Sequence, residues 1–257
     1  MLNKILTISL ITVLFVSLTI SVDAGIRDIT GKYSNDRNDY PHLSDKEFAN
    51  FRVVKTTGMG KNALYRTATP LRSSHNRNKY ADKALKEKKI KCVINLSDSK
   101  KEAKNCKGYK KTYYVKTNHI EVNMKANYGK KDFNRKFAKA IRYMNKHKGR
   151  YAIHCVAGKD RTGFTVAVLE CLMGATYGEV MKDYMKTFDN YYGITKKSPR
   201  YEKVLDAGIR KQLKRVFDVD DLKTANLSKE AYSYLRTCGL KKAEIKTLKR
   251  NLSKDYN

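Results

Sequence analysis

The chain has 257 residues, which is enough for one sizeable domain and marginal for two. Lysine and arginine together number 55 against 25 aspartates and glutamates, so the formal charge is +30. This excess creates an attractive field for polyanions such as inositol phosphates and anionic membrane surfaces, although a lysine- and asparagine-rich composition would also leave many lysines merely solvated. Nucleic acid is disfavoured as a partner, because the sequence contains no nucleic-acid-binding motif.

The first 24 residues have the composition of a secretory signal peptide. Lys4 supplies a positive start, residues 5–20 form an apolar run, and Val22-Asp23-Ala24 places small residues where a signal peptidase cuts. The apolar run is short for a membrane span. Cleavage after Ala24 and export of the protein are therefore predicted, with an uncleaved membrane anchor as the alternative.

The first half of the remaining chain alternates strand-like and helix-like stretches. Residues 25–40 are polar and predict an extended or mobile lead-in. Ser44-Asp45-Lys46-Glu47 has the spacing of a capping box, so a short helix is predicted to begin there. Further elements are predicted as a strand over 63–70, a basic helix over 80–88, an apolar strand over 90–96 and one more strand within 113–124.

The second half of the chain is dominated by apolar residues at helical spacing. Capping boxes and glycine stops mark several helix ends, among them Gly174 and Gly239. Helices are predicted over 132–148 and 162–173, from 176 onward, and over 201–216 and 228–252. No repeat or linker marks a boundary, so residues 25–257 are interpreted as one α/β domain whose helical tail begins at about residue 200.

One stretch connects the apolar run Tyr151-Ala152-Ile153 to an apolar helix, and it reads His154-Cys155-Val156-Ala157-Gly158-Lys159-Asp160-Arg161-Thr162-Gly163. Strand, tight loop and helix in this order present backbone N–H groups at the positive end of a helix, where an anion binds well. A phosphate held there by the Arg161 fork would present its phosphorus to the Cys155 sulfur. Helix dipole, amides and Arg161 favour the thiolate, which can then accept a phosphoryl group.

The full string His-Cys-x-x-Gly-Lys-x-Arg-Thr-Gly resembles the signature of the cysteine-dependent phosphatases, the protein tyrosine and dual-specificity phosphatase superfamily. Its Gly-Lys-Asp-Arg-Thr-Gly part is most similar to bacterial tyrosine phosphatases that also accept phosphoinositides. Asn50-Phe51-Arg52 and Tyr65-Arg66-Thr67 resemble elements upstream of the signature in such enzymes. The resemblance implies an α/β fold in which helices flank a central, mostly parallel sheet of four to five strands, with a helical C-terminal extension.

The resemblance also implies roles for individual residues. Cys155 is the predicted nucleophile, and Arg161 is predicted to hold two equatorial phosphate oxygens. The supporting residues are His154, which orders the loop, Arg66, either near the rim of the site or on the strand surface, and Asp98, at the end of the sheet. The predicted substrate-binding residues are Val156, Ala157, Gly158, Lys159, Thr162 and Gly163.

Three of these substrate-binding residues carry a more specific expectation. Gly158 is expected where the backbone approaches the ligand closely, with a positive φ. The Thr162 hydroxyl is expected to hydrogen-bond the sulfur and make it a better leaving group. Lys159 is expected to add a positive charge at the mouth of the site, which suits a substrate with more than one phosphate.

The general acid is the open question of the sequence. Larger tyrosine phosphatases carry an aspartate roughly thirty residues before the cysteine, but this chain has no aspartate between Ser99 and Lys131. Asp160, next to Arg161, resembles the loop aspartate assigned as the acid in the bacterial group. Asp160 is therefore the predicted acid, and Asp98 is the next candidate.

No metal and no cofactor are predicted, because no cysteine spacing resembles a zinc site. In an exported protein the four cysteines other than Cys155 could form two bridges. Structural disulfides are nevertheless not predicted, since two of the four lie in apolar stretches where a thiol acts as a small hydrophobe. The four cysteines are Cys92, Cys106, Cys171 and Cys238.

The sequence thus predicts a secreted phosphatase that hydrolyses phosphate monoesters through a cysteinyl-phosphate intermediate. Its expected partner is a phosphorylated acidic substrate: a phosphoprotein carrying phosphotyrosine, a phosphoinositide or an inositol phosphate. One alternative is an inositol polyphosphate phosphatase, which the charge suits equally. The non-enzymatic alternative is a polyanion-binding protein that retains an inactive phosphatase loop.

Overall fold

The structure is a computed structural model that describes residues 22–257. Most of the predicted signal peptide, residues 1–21, lies outside the described residues. The predicted cleavage position after Ala24 falls within the first turn of a helix that spans Val22–Thr30. Among the helices of residues 22–257, none is both long enough and apolar enough to cross a membrane.

The centre of the fold is a five-stranded sheet with the strand order β1-β2-β5-β3-β4. Strands β2, β5, β3 and β4 run parallel, and the short β1 pairs antiparallel with β2 at one edge. The predicted mostly parallel sheet is confirmed. The strands are β1 (Arg52–Val53), β2 (Leu64–Thr67), β3 (Cys92–Asn95), β4 (Asn118–Glu121) and β5 (Tyr151–His154).

Helices cover both faces of this sheet, as expected for parallel strands that are buried on both sides. On one face Ile153 and Tyr151 of β5 pack into the larger apolar core, and on the other face Ala152 packs into a smaller one. The helices are α1 (Val22–Thr30), α2 (Asp45–Phe48), α3 (Asn78–Glu87), α4 (Lys100–Lys104), α5 (Lys131–Lys146), α6 (Asp160–Met173), α7 (Tyr177–Tyr192), α8 (Tyr201–Leu205), α9 (Lys211–Phe217), α10 (Leu227–Thr237) and α11 (Lys242–Leu252).

The ends of several helices follow the predicted signals. Ser44 and Thr176 form the two predicted capping boxes, each pairing with a glutamate three residues on. Gly174 ends α6 with a φ of +97°. The predicted break at Gly239 separates α10 from α11. Local signals therefore place these boundaries well.

The helical tail packs on the domain, because α10 lies against α6 and α11 lies against α5. The helical stretch predicted over 201–216 is confirmed, since residues 201–217 are helical throughout. The α-helix is interrupted there by a π-helical turn at Asp206–Arg210, in which Gly208 leaves the α-helical region. A Cβ at Gly208 would lie 2.7 Å from the Tyr184 hydroxyl, so the close approach of α7 explains the interruption.

The predicted extended or mobile lead-in at residues 25–40 is wrong over residues 25–30, which are helical, whereas residues 31–36 have no regular secondary structure. Residues 22–30 form α1, and Ile26 is completely buried in the larger core. Ile29, three residues on, also packs against this core, and two apolar residues in an otherwise polar stretch give only a weak periodic signal in the sequence. All five cysteines are free thiols in the structure.

Candidate active site

The residues from Cys155 to Arg161, here called the signature loop, begin at the carboxyl end of the central strand β5. His154 pairs with Thr67 of β2 on one side and with Asn95 of β3 on the other. The loop leads directly into α6, which is buried on nearly all sides. Because ligands of parallel α/β sheets bind at the carboxyl ends of the strands, this is the expected position of a site.

The backbone carbonyls of the signature loop are turned outward. Each of the four carbonyls from 155 to 158 accepts a hydrogen bond from a group outside the loop or from the preceding histidine. The donors are His154 Nδ1 to Cys155 O at 3.1 Å, Thr69 N to Val156 O at 2.9 Å, Tyr191 Oη to Ala157 O at 2.8 Å and Arg66 Nη2 to Gly158 O at 3.0 Å. Since N–H and C=O of a trans peptide point in opposite directions, the amides face the inside of the loop, where they can bind an anion.

Gly158 has the positive φ that the sequence analysis expected, +66°. The nearest atom to a Cβ at this position would be Thr67 O, at 2.3 Å. The close approach is therefore to the neighbouring strand β2. Only glycine lets the loop pack this tightly on the sheet.

Asn50 is a supporting residue that the sequence analysis did not assign. Its Nδ2 lies 3.2 Å from both Ala157 O and Gly158 O, and its Oδ1 accepts a hydrogen bond from Arg52 Nη1 at 2.7 Å. The side chain is completely buried. The only signal for it in the sequence was the resemblance of Asn50-Phe51-Arg52 to an upstream family element.

Arg66 lies neither at the rim of the site nor on the strand surface, so both expectations for its position are wrong. Its side chain is completely buried, donates to Gly158 O and is ion-paired with Asp183 of α7. Arg52 donates to the same Asp183 carboxylate at 2.8 Å. Burial alone would raise the pKa of Asp183, but the two guanidinium groups hold it below its usual value.

A second buried carboxyl group, Glu170 of α6, shares this region. Burial and the neighbouring Asp183 raise the pKa of Glu170 well above its usual value. Arg52 and Arg66 both lie against the Asp183 carboxylate and keep it ionised. Arg66 also brings a positive charge to the back of the signature loop, where it donates to Gly158 O, and positive charge there favours an anion in front of the loop.

Cys155 lies at the base of a cavity of about 390 Å³, and its side chain is nearly buried. The signature loop forms one wall of this cavity, including Asp160 and Arg161. Arg161 Nη1 donates to Met124 O at 2.9 Å, which restricts the guanidinium to one side of the cavity. The structure thus places the predicted nucleophile, the predicted phosphate ligand and the predicted acid around one space.

Lys159 is not at the mouth of the site as expected, because it is only 5% exposed. It still lines the cavity, with its Nζ 3.8 Å from Asp160 Oδ2 and 3.5 Å from the Tyr192 hydroxyl. A buried ammonium beside Asp160 contributes a positive charge to the interior of the cavity.

Thr162 and Gly163 do not fit their predicted roles in substrate binding. The Thr162 hydroxyl is buried and has no hydrogen-bond partner among residues 22–257, so the expected bond to the Cys155 sulfur is not formed. The Gly163 N–H donates to Lys159 O at 2.8 Å, as part of the first turn of α6. A Cβ at Gly163 would lie 2.8 Å from the Tyr184 ring, so this glycine serves helix packing.

Asp98 lies outside the cavity walls and is completely buried. Its carboxylate accepts hydrogen bonds from Arg72 and from Asn95 Nδ2. Burial alone would raise its pKa, but these two partners hold the pKa of Asp98 below its usual value. A carboxylate that is ionised and fully engaged is poorly suited to donate a proton to a leaving group.

His154 points away from the cavity, as predicted. Its Nδ1 is the donor to Cys155 O, because a carbonyl can only accept. Burial lowers the pKa of His154 to about 4, so the ring is neutral near pH 7. His154 therefore orders the loop and carries no charge there.

No group of acidic, histidine or cysteine side chains within residues 22–257 could hold a metal ion.

The strand, loop and helix with Cys155 at the base of a cavity define a cysteine-dependent phosphatase. The tyrosine phosphatase family matches residues 46–254, and the chain belongs to this family. No curated protein matches the chain.

Two solved structures are similar to the chain at low identity. One is the core catalytic domain of the PP-IP phosphatase SIW14 from S. cerevisiae in complex with citrate, which is 18% identical, with 66% of this chain and 91% of that chain covered and a TM-score of 0.40. The other is PTPMT1 in complex with PI(5)P, which is 14% identical, with 71% of this chain and 97% of that chain covered and a TM-score of 0.36.

The close approach of Gly158 to Thr67 leads to a testable prediction. Gly158→Ala should lower kcat/KM by ~10²-fold or more, because the added Cβ displaces loop amides and misplaced contacts of about 1 Å cost this much. Gly108→Ala is the matched control, since Gly108 has a similar φ of +77° but no atom within 4 Å of a Cβ. The control should lose about 1–2 kcal/mol of stability and keep its kcat/KM. Equal activity of the two variants would contradict the packing role of Gly158.

Proposed function

We propose that the protein hydrolyses phosphate monoesters through a phosphorylated Cys155. The observation that supports this proposal is the position of Cys155, which lines a cavity at the start of a loop whose first four carbonyls are held by hydrogen bonds directed away from it. The inward amides and the Arg161 guanidinium would hold the three non-bridging oxygens of the phosphate. The phosphorus would then face the sulfur.

The chemistry follows in two steps. The Cys155 thiolate attacks phosphorus, the phosphorus–oxygen bond to the leaving group breaks, and Asp160 supplies the proton that the departing oxygen takes up. Water then attacks the cysteinyl-phosphate, the sulfur–phosphorus bond breaks, and Asp160 accepts a proton from the water. Amides and arginine bind the transferring group throughout, where negative charge accumulates in the transition state.

The substrate class that we propose is an anionic phosphate monoester, either phosphotyrosine or a phosphoinositide. The charge of +30 and the cationic cavity favour substrates with additional negative charge. An inositol polyphosphate is the second candidate, and the same charges favour it.

The nucleophile is tested by substitution. Cys155→Ser should abolish turnover of p-nitrophenyl phosphate and keep the binding of inorganic phosphate, because the amides and Arg161 remain. Arg161→Lys should lose ~10²-fold or more in kcat/KM, since an ammonium cannot replace the planar fork. Cys106→Ser, at a half-buried cysteine outside the cavity, is the control and should retain wild-type activity.

Retention of more than about a tenth of wild-type activity in Cys155→Ser would contradict the proposed mechanism, because loss of a catalytic contact costs ~10²-fold or more. Phosphate binding measured by calorimetry separates loss of chemistry from loss of the site.

The role of Asp160 is tested by the dependence on the leaving group. A nitrophenolate leaves as a stable anion, whereas an alkoxide needs the proton. Asp160→Asn should therefore slow an alkyl phosphate by an extra ~10²-fold compared with p-nitrophenyl phosphate, and should remove the basic limb of the pH–rate profile. If both substrates slow equally, Asp160 only shapes the loop.

We also propose that the protein is exported and that its mature chain begins at Gly25. The composition of residues 1–24 supports this proposal. Mass spectrometry of protein from the culture medium should find a chain that starts at Gly25. A chain that starts at Met1 and sediments with membranes would instead support the anchored form.

A further inference from the structure

The second wall of the Cys155 cavity is formed by the N-terminal segment, defined here as residues 25–35. Five of its residues line the cavity together with the signature loop: Arg27, Gly31, Lys32, Tyr33 and Asn35. The family match begins only at residue 46, so this wall lies outside it. The resulting space of about 390 Å³ lies in the range of ~300–1,000 Å³ typical of small-molecule sites.

The N-terminal segment is fixed to the domain at both ends. At its start, Ile26 is completely buried, and its Cδ1 would lie 3.2 Å from a Cβ at Gly208. At its end, Ser34 O accepts a hydrogen bond from Arg77 Nη2 at 2.9 Å. Arg77 is itself buried, and its guanidinium lies 4.1 Å from the centre of the Tyr191 ring, whose hydroxyl holds the signature loop. Tyr191 thus contacts both the signature loop and the arginine that holds the end of the segment.

Tyr33 lines the cavity and contacts two further tyrosines. Its ring packs edge-on against Tyr191 at 4.6 Å and against Tyr192 at 5.8 Å between ring centres. Burial, followed by the neighbouring Tyr192, raises the pKa of the Tyr33 hydroxyl, so the group is neutral near pH 7. Tyr33 therefore adds shape to the cavity, and the charge comes from elsewhere on the segment.

The segment contributes two cations, Arg27 and Lys32. Both side chains are exposed, and neither forms an ion pair with another residue of 22–257. Among the described residues that line the cavity, Arg27, Lys32, Lys159 and Arg161 thus give four cationic side chains against one carboxylate, Asp160. Arg161 is proposed to hold the phosphate that faces Cys155, so the two cations of the N-terminal segment are available for a further anionic group of the substrate.

We propose that Arg27 and Lys32 form a subsite for a second phosphate of the substrate. This inference rests on the proposed function, and it narrows the substrate class to compact monoesters that carry a further phosphate group close to the reacting one. Arginine and lysine bind phosphate with charge-assisted hydrogen bonds. The ligand chemistry is a polyol with several phosphates, either as a soluble inositol phosphate or as the headgroup of a lipid.

The test compares two variants of equal charge. Arg27→Gln/Lys32→Gln removes the subsite, and Lys246→Gln/Arg250→Gln removes two exposed cations from α11. The end of α11 lies near the start of β2, since Leu252 O accepts a hydrogen bond from Gly60 N, so the control is at the opposite end of the sheet from Cys155. All four side chains are exposed, so neither double substitution should disturb folding.

The readout is a ratio of kcat/KM values. For each protein, kcat/KM is measured on inositol hexakisphosphate, on a phosphatidylinositol bisphosphate in vesicles and on p-nitrophenyl phosphate. In the subsite variant, the ratio of a polyphosphorylated substrate to the aryl phosphate should fall about tenfold or more, mainly through KM. In the control it should stay at the wild-type value. A fall on the soluble compound identifies a soluble inositol phosphate as the ligand, and a fall on vesicles alone identifies the lipid headgroup.

An unchanged ratio on both polyphosphorylated substrates, or an equal fall in the control, would overturn the subsite. Failure of the proposed function is a separate result, because the wild-type protein would then not turn over p-nitrophenyl phosphate at all.

A second measurement of the subsite does not depend on turnover. In a Cys155→Ser background, calorimetry with inositol hexakisphosphate should show about tenfold weaker binding when Arg27→Gln/Lys32→Gln is added. Unchanged affinity there would also overturn the inference.

Discussion

The site depends on one constraint, the outward direction of the four carbonyls at the start of the signature loop. Each is held by its own donor: His154 directly before the loop, Arg66 and Thr69 at the end of β2, and Tyr191 of α7. Only with the carbonyls held out do several amides converge on one point in front of the Cys155 sulfur. The sheet, α7 and the buried Asn50 are arranged around this requirement, and the glycine at 158 lets the loop lie against β2.

The carboxyl groups around the signature loop are also arranged so that an anion can bind there. Three buried carboxyl groups lie near it, and each is prevented from opposing a bound anion. Asp183 is paired with two arginines, Asp98 is paired with Arg72, and burial raises the pKa of Glu170 well above its usual value, which disfavours its charged form. Among the described residues that line the cavity, Asp160 is the one with a carboxyl group, and the proposed mechanism requires a proton donor there. Of these carboxyl groups, Asp160 is therefore the one that would act directly on an anion bound in the cavity.

The sequence predicted those parts of the site that are formed by residues close together in the chain. Strand, loop and helix around Cys155 follow from a contiguous motif, and the sheet class follows from the alternation of elements. The rest depends on contacts between distant positions: Asn50 meets the loop 107 residues away, and Tyr191 meets it 34 residues away. The N-terminal wall was missed because only two apolar residues, Ile26 and Ile29, anchor a polar stretch to the core. The expected position of Arg66 was wrong because burial of an arginine leaves no mark in a sequence.

The central claim is that the phosphoryl group passes through the Cys155 sulfur. The most direct measurement is rapid acid quenching of a reaction with p-nitrophenyl phosphate within the first turnover, followed by peptide mass spectrometry. The account predicts a transient gain of one phosphoryl group on the peptide that contains Cys155, located on the cysteine and absent in Cys155→Ser. Turnover without any phosphorylated enzyme, or with the phosphoryl group on another residue, would contradict it.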